Sequence, residues 1–174
     1  MRAQFKGGAS GRRPCRLCRA ASVGARPLPA IMARMIDAAH AAAILTRITQ
    51  IPIFDTLRMR DVVLDEGQAG MRVPRQKIYD GVFESFHGGI LMTLADSAAC
   101  FAVLTTTPID QVMTTTDMNI RFLAPCLSDV QVKARVIKRG RVMCPVAVDL
   151  LDAAGRLVAI AQVNYMLLDK MPSR

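Results

Sequence analysis

The sequence has no apolar run that approaches the ~18–20 residues required to span a membrane. The longest candidate, residues 88–104, carries Asp96 near its middle, so we expect a soluble protein with no membrane partner. Few residues are charged (21%) and many are hydrophobic (52%), a balance that excludes disorder of the whole chain. The 174 residues allow one compact domain and are too few for two of ordinary size.

Acidic residues are absent from the first 36 positions. Eight of the 23 basic residues lie there, which leaves 15 basic and 14 acidic residues in 37–174. The net charge of +9 therefore belongs almost entirely to this N-terminal segment, and the remainder carries about +1. A nearly neutral domain lacks the positive charge that binds phosphates, so we expect no nucleic-acid partner. Any such binding would depend on the basic leader.

The leader, residues 1–31, is rich in Arg, Gly, Ala, Ser and Pro, and three interpretations compete for it. The favoured one is a disordered extension, or an over-extended start with the native chain beginning at Met32 or Met35. An Arg-rich leader without acidic residues is also typical of organelle import, although the apolar stretch of a secretory signal is missing. Cys15 and Cys18 form half of a zinc pattern, with no second pair and no nearby His, so we expect no metal.

The other three cysteines are Cys100, Cys126 and Cys144, and they lie in apolar or strand-like contexts. Such a context is typical of reduced core thiols. Because disulfides are rare in cytosolic proteins, the cysteine usage predicts a cytoplasmic location.

Hydrophobic periodicity and turn residues predict an α+β domain. One helix is predicted over 37–49, with Asp37 as N-cap and Pro52 ending it. A longer helix covers 88–104. Strands are predicted at 57–65, 68–75, 114–123, 128–138, 141–151 and 156–168, with turns at 66–67, 138–141 and 152–155. The predicted organisation is a leader at 1–31, a helix and connector at 32–56, and one folded domain at 57–171.

Two strands carry more detailed predictions. Residues 114–123 alternate, which places the even-numbered residues Thr114 to Phe122 on one face and the odd-numbered residues Thr115 to Arg121 on the other. Pro145 has no N–H to donate, and it predicts that its strand lies at a sheet edge or carries a bulge there.

The predicted helix over 88–104 is apolar on nearly every side, which is typical of a buried helix. Its few polar residues, Thr93, Asp96 and Ser97, are spaced i, i+3 and i+4 and share one face. A carboxylate in a buried helix is costly unless a partner offsets the cost. Asp96 is therefore the outstanding candidate for a functional role.

His87, Gly88 and Gly89 open this helix. The first N–H groups of a helix have no internal partner, and glycine lets a ligand approach the backbone. With the helix dipole, they form a site for a developing negative charge, such as the oxyanion of acyl transfer. Asp96 lies ~12–14 Å along the helix from His87 and Gly88, so one catalytic site containing both groups requires two chains.

Two motifs, residues 87–97 (HGGILMTLADS) and 114–122 (TTTDMNIRF), resemble the hotdog-fold acyl-CoA thioesterases of the PaaI (phenylacetic acid degradation) type. The resemblance covers roughly 57–168. It implies a hotdog fold, in which an antiparallel sheet wraps one long helix. It also implies a homodimer, usually a homotetramer, with the active site between subunits and an acyl-CoA thioester as substrate.

The resemblance assigns roles to single residues. Asp96 would act as the nucleophile, through a mixed anhydride, or as the general base that activates water. The Gly88 N–H of the facing subunit would polarise the thioester oxygen, and His87 would orient the loop or lie near the thiol leaving group. Thr115 would help to position the attacking water, whereas Asp117 is interpreted as structural.

Contacts to coenzyme A are implied for Gly89 and for a basic turn formed by Lys138, Arg139 and Arg141. Coenzyme A is part of the substrate here, and no metal or redox cofactor is expected. The alternative to a hydrolase is a non-catalytic protein of the same fold that binds acyl-CoA as a sensor or carrier.

One departure from the family motivates this alternative. Relatives often carry Asn or Gln six residues before the His, where this chain has Gly81. The same loop presents Asp80, Glu84 and Ser85. Either Glu84 or Ser85 takes over the orienting role, or the substrate and the rate differ from those of better-known members.

Overall fold

A computed structural model describes residues 36–169, so the predictions for the leader and for Cys15 and Cys18 lie outside the described residues. The elements in chain order are α1 Ala38–Thr49, α2 Pro52–Thr56, β1 Arg60–Asp65, β2 Gln68–Val73, a 3₁₀ turn Lys77–Tyr79, α3 Gly88–Leu104, β3 Val112–Phe122, β4 Val130–Val136, β5 Met143–Asp152 and β6 Leu157–Leu168. Among the helices of this segment, none is long and apolar enough to cross a membrane.

The six strands form one antiparallel sheet in the order β1-β2-β4-β5-β6-β3. Helix α3 packs against this sheet, and the contact buries large side chains from both layers, such as Leu94, Phe101, Val146 and Val163. The predicted α+β class is confirmed. Buried and more exposed residues alternate along β4, β5 and β6, because one face of the sheet packs against α3.

The predicted first helix is confirmed, with the Asp37 side chain accepting a hydrogen bond from the His40 N–H at 3.0 Å. The prediction that Pro52 ends this helix is wrong. α1 already ends at Thr49, and Pro52 is the first residue of α2. Proline suits that position because the first N–H of a helix needs no intrahelical acceptor and the fixed φ of proline is already helical.

Helix α3 has the predicted bounds, but one of its faces is not covered within the protomer. Gly89 and Thr93 are exposed on this stripe, and Asp96, Ser97 and Cys100 are half-buried. Their spacing places them along one side of the helix. The expectation of a helix buried on all sides is therefore wrong for the single chain, because the sheet covers only the opposite side.

The predicted alternation in β3 is wrong on one side of Thr116. The register with β6 shifts between Thr115, opposite Tyr165, and Asp117, opposite Asn164. Thr116 is thus an extra residue, a β-bulge. After the bulge, odd- and even-numbered residues exchange faces of the sheet. Thr115 before the bulge and Met118 after it therefore both lie on the half-buried face.

Pro145 lies neither on an edge strand nor at a bulge, so both predictions for it are wrong. β5 is an interior strand, and its one register shift falls between Leu150 and Leu151. The ladder with β4 ends at Val146. Pro145 is one residue beyond that end, where no ladder hydrogen bond requires its missing N–H.

The β5–β6 turn is fastened by the side chain of Asp152, which is almost fully buried. Its Oδ1 accepts from the N–H groups of Ala154 and Arg156 at 3.0 and 2.9 Å, and its Oδ2 accepts from the Arg156 Nε at 3.0 Å. The hydrogen bond from the Arg156 N–H lowers the pKa of Asp152 below its ordinary value, and the hydrogen bond from the Arg156 guanidinium has a smaller effect in the same direction. The turn closes with Gly155 at φ +78°, a conformation that glycine adopts without strain.

Candidate active site

Asp96 lies at the centre of a small hydroxyl cluster on the open side of α3. Its Oδ1 accepts from the Thr115 Oγ1 at 2.8 Å and lies 2.8 Å from the Tyr165 hydroxyl. Within residues 36–169, Oδ2 has no hydrogen-bond partner. It is not a fully buried atom either, so solvent or a ligand can reach it. One carboxylate oxygen is therefore held by the protein, and the other faces the open side.

The bulge at Thr116 makes this cluster possible. Thr115 and Tyr165 are directly opposite each other on β3 and β6, so their side chains project from the same face. In a regular strand, Thr115 and Met118 would face opposite sides of the sheet. The extra residue lets both of them face α3, on the same side as Tyr165. The resemblance paired Thr115 with an attacking water, and the structure adds a direct contact between Thr115 and Asp96.

Tyr165 was not predicted as a site residue. Burial, with smaller contributions from Cys100 and Asp96, raises the pKa of Tyr165 above its ordinary value, so the phenol stays neutral. A signal was present in the sequence, since Tyr165 occupies an inward position of β6 between Val163 and Leu167. A phenol among core aliphatic residues needs a hydrogen-bond partner.

Cys100 lies one turn after Asp96, and it is half-buried. Burial, followed by the charge of Asp96, raises the pKa of the Cys100 thiol to about 11. The thiol is thus protonated at neutral pH and is not a nucleophile. The geometry supports its interpretation as a packing residue.

His87 is the N-cap of α3. Its Nδ1 accepts from the Gly89 N–H at 3.0 Å, which occupies that donor. A Cβ added at Gly89 would lie 3.1 Å from the same nitrogen. The Gly89 N–H is thus already hydrogen-bonded, whereas the Gly88 N–H has no acceptor within the described part of the chain.

Gly88 lines a cavity of about 410 Å³, and Asp96 is not one of its lining residues. Ser85, Phe86, Leu91 and residues 122–126 complete the lining. A Cβ added at Gly88 would lie 3.0 Å from the Phe122 Cζ. Phe122 is the last residue of β3, and Thr115, the partner of Asp96, lies near its start. The two predicted catalytic groups thus lie at opposite ends of β3 within one protomer.

The loop before α3 is fastened by Arg75. The guanidinium forms a two-point ion pair with Asp80, with contacts of 3.1 and 2.6 Å, and donates to the backbone carbonyl of Glu84 at 2.6 Å. Asp80 is therefore structural. Gly81 lies beside the His87 ring, since a Cβ added there would be 3.4 Å from the His87 Cδ2.

Lys138, Arg139 and Arg141 are exposed in the β4–β5 turn, where the Arg139 guanidinium bonds the carbonyl of Gly140. The turn lies at the Asp96 end of the sheet, because β5 begins at Met143 and Cys144 pairs with Tyr165. Arg141 is three residues before Cys144, so at ~3.3 Å per residue it lies at most roughly 10 Å from that pair.

Asp117 accepts from the Asn164 Nδ2 at 2.6 Å and from the Thr116 Oγ1 at 3.1 Å. These bonds tie β3 to β6 just after the bulge. Asp117 thereby stabilises the backbone that presents Thr115, which agrees with its interpretation as structural.

A family model, the thioesterase superfamily, matches residues 83–159. The match covers 77 of the 174 residues. The matched segment includes His87, Asp96 and Thr115, so the predicted enzyme class, a thioester hydrolase, is confirmed.

Individual relatives agree with this assignment. The chain is 29% identical over 118 residues to a candidate esterase of Saccharolobus solfataricus, a match that covers 67% of this chain and 83% of that protein. It is 33% identical over 78 residues to the human acyl-coenzyme A thioesterase 13, covering 43% of this chain and 55% of that enzyme. The chain thus spans about half the length of this human relative.

Solved structures share the fold. A thioesterase family protein from Silicibacter pomeroyi superposes with a TM-score of 0.69 at 22% identity, over 74% of this chain and 98% of that one. The PaaI protein of E. coli gives 0.69 at 19% identity, over 75% and 94%. The predicted hotdog fold is confirmed.

Proposed function

We propose that this protein hydrolyses acyl-CoA thioesters to a free acid and coenzyme A, with Asp96 as the general base. The observation that supports this most is the asymmetry of the Asp96 carboxylate. Two hydroxyls hold Oδ1, and Oδ2 faces the open side of α3. A carboxylate held in this way is oriented for proton transfer at its free oxygen.

In the proposed reaction, Oδ2 of Asp96 takes a proton from water while the water oxygen attacks the thioester carbon. The Thr115 hydroxyl, whose proton goes to Oδ1, offers its lone pairs to the same water. The Gly88 N–H and the N-terminal end of α3 stabilise the oxyanion that forms. The C–S bond then breaks, and Asp96 returns its proton to the departing thiolate.

The proposed active unit is a homodimer with two sites. Asp96 and the Gly88 N–H lie at opposite ends of β3 in one chain, and eight residues of helix span ~12 Å. Two chains related by a two-fold axis, with their α3 helices antiparallel, bring each Asp96 to the partner's Gly88. The uncovered stripe of α3, from Gly89 to Cys100, is the surface that such a partner covers.

The proposed location is the cytoplasm. Cys100, Cys126 and Cys144 are all free thiols, and burial raises the pKa of Cys126 and of Cys144 above the ordinary value. Buried, protonated thiols suit a reducing compartment.

Release of free thiol from acetyl-, hexanoyl-, phenylacetyl- and palmitoyl-CoA tests the proposed activity. We expect steady release from at least one of these substrates, and the ranking would define the acyl preference. Tight binding of all four without thiol release would instead identify an acyl-CoA sensor or carrier, the alternative that Gly81 favours.

Arg141→Ala is expected to raise the KM for acyl-CoA by about 5- to 10-fold at unchanged kcat, because an exposed charge on a phosphate contributes modest binding energy. N-acetylcysteamine thioesters lack the phosphates, and their KM should not change. Lys133→Ala removes an exposed charge from β4 and is the matched control. Equal effects of Arg141→Ala on both substrate types would refute the phosphate contact.

A further inference from the structure

We propose that Tyr165 is a positioning residue that locks the Asp96 carboxylate, so that Oδ2 rather than Oδ1 meets the substrate. The proposal rests on the proposed function, since it deepens the role of Asp96. Tyr165 reaches no open surface itself, because it is 4% exposed. It therefore acts through Asp96 and does not touch the reacting atoms.

The Tyr165 hydroxyl reaches two atoms of the same residue. It lies 2.8 Å from Oδ1 of Asp96 and 3.0 Å from the backbone carbonyl oxygen of Asp96. A phenol has one proton, and the shorter, charge-assisted contact to Oδ1 is the stronger of the two. A hydroxyl in contact with both the backbone and the side chain of Asp96 restrains the rotation of that side chain.

The phenol itself is rigidly placed. Tyr165 lies on β6, an interior strand, opposite Cys144 on β5 and Thr115 on β3. Residues paired across a sheet project from the same face, so the hydroxyls of Thr115 and Tyr165 converge on Oδ1 from two strands. Rotation of Asp96 would break both hydrogen bonds at once.

Hydroxyl donors alone compensate the charge of Asp96 in the described structure. None of the ion pairs within residues 36–169 involves Asp96. Tyr165 and Cys100 are ionisable groups that interact with Asp96, and Arg47 of α1 interacts with Cys100. The raised pKa values of the Tyr165 phenol and the Cys100 thiol mean that both groups stay neutral at neutral pH.

Tyr165→Phe removes only the hydroxyl. We expect kcat to fall by about 10- to 100-fold, the usual effect of a lost hydrogen bond to a charged group, with KM unchanged. In a plot of rate against pH, the acid limb is the range in which the rate rises as the carboxylate ionises. This limb should move to higher pH, because loss of a donor disfavours the ionised carboxylate. A merely structural hydroxyl would lower the melting temperature without moving that limb.

Tyr79→Phe is the matched control. The chain has two tyrosines, and the Tyr79 hydroxyl also donates to a partner, the carbonyl of Thr56, at 2.7 Å. This variant should lose stability yet keep the parent kcat and acid limb. Thr115→Val removes the other hydroxyl that holds Oδ1, so it should resemble Tyr165→Phe.

A second probe covers the case in which Tyr165→Phe does not fold. In the Tyr79→Phe background, biosynthetic 3-fluorotyrosine labels Tyr165 alone and makes its hydroxyl a stronger donor. The acid limb should then move to lower pH, opposite to the shift in Tyr165→Phe. An unmoved acid limb in both proteins would overturn the proposal.

Carbon-13 NMR of labelled aspartate separates this proposal from the proposed function. The carboxylate signal lost in Asp96→Asn belongs to Asp96, and its titration midpoint should be higher in Tyr165→Phe than in the parent. This comparison needs no activity. Equal midpoints would reject the role of Tyr165 even if acyl-CoA is hydrolysed, and a shifted midpoint would support it even if the parent shows no turnover.

Discussion

Asp96→Asn is expected to lower kcat on acyl-CoA by about 10³-fold or more, because a neutral amide cannot take a proton from water. The fold should persist. The amide oxygen can replace Oδ1 as acceptor for the Thr115 and Tyr165 hydroxyls, which leaves the NH₂ group on the open side. We thus expect a loss of turnover with little change in substrate affinity or melting temperature.

Asp117→Asn provides the matched control for this substitution. Its carboxylate binds Asn164 and Thr116 and takes no part in the proposed chemistry, so turnover should stay within about two- to threefold of the parent. Thiol release and thermal unfolding, measured on both variants, complete the comparison. Parent-like turnover by Asp96→Asn would remove Asp96 from the mechanism.

Gly88→Pro is expected to lower kcat by about 10²- to 10³-fold, the usual effect of removing one oxyanion donor. Proline deletes the N–H of residue 88 and nothing else that the helix needs, since the first helical position has no internal acceptor. His87 already has the extended backbone, φ −62° and ψ 131°, that a following proline requires.

The added carbon atoms need their own control, because a Cβ at Gly88 lies 3.0 Å from the Phe122 ring. Gly88→Ala adds that Cβ and keeps the N–H. The alanine variant should retain most of the parent kcat, and the difference between the two variants measures the N–H. Equal kcat values for the alanine and proline variants would show that Gly88 is not the oxyanion donor.

Helix α3 could be predicted from the sequence to the residue at both ends. Glycines precede a continuous apolar run, and that run is too long for an ordinary strand. The sequence placed Thr93, Asp96 and Ser97 on one polar face. It did not show that this face is open, because Gly89 and Cys100 beside it are small enough to be interpreted as core residues. Only the placement of the sheet shows which side of α3 is left uncovered.

The β3 bulge could not be predicted from the sequence, for a different reason. Residues 114–116 are three consecutive threonines, so the side chains do not report which of them faces the helix. Hydrogen bonding decides the matter, since Thr115 binds Asp96 and Thr116 binds the carbonyl of Asn164. A run of identical residues leaves strand register to tertiary contacts.

Most of the site could be predicted from the sequence, and one residue required coordinates. Asp96 and Gly88 stand out by type and spacing, and the family resemblance points to Thr115. Tyr165 is distant in sequence, 69 residues after Asp96, and only the pairing of β6 with β3 brings its hydroxyl to the carboxylate. Long-range pairing of this kind leaves no local pattern in the chain.

Subunit complementation tests the central claim, a site shared between two chains. Asp96→Asn and Gly88→Pro chains, carrying different affinity tags, are co-expressed and purified through both tags. A mixed dimer then has one site with both groups intact and one site with both lost, so thiol release should recover to about half of the parent value. Activity no higher than that of either variant alone would contradict the shared site.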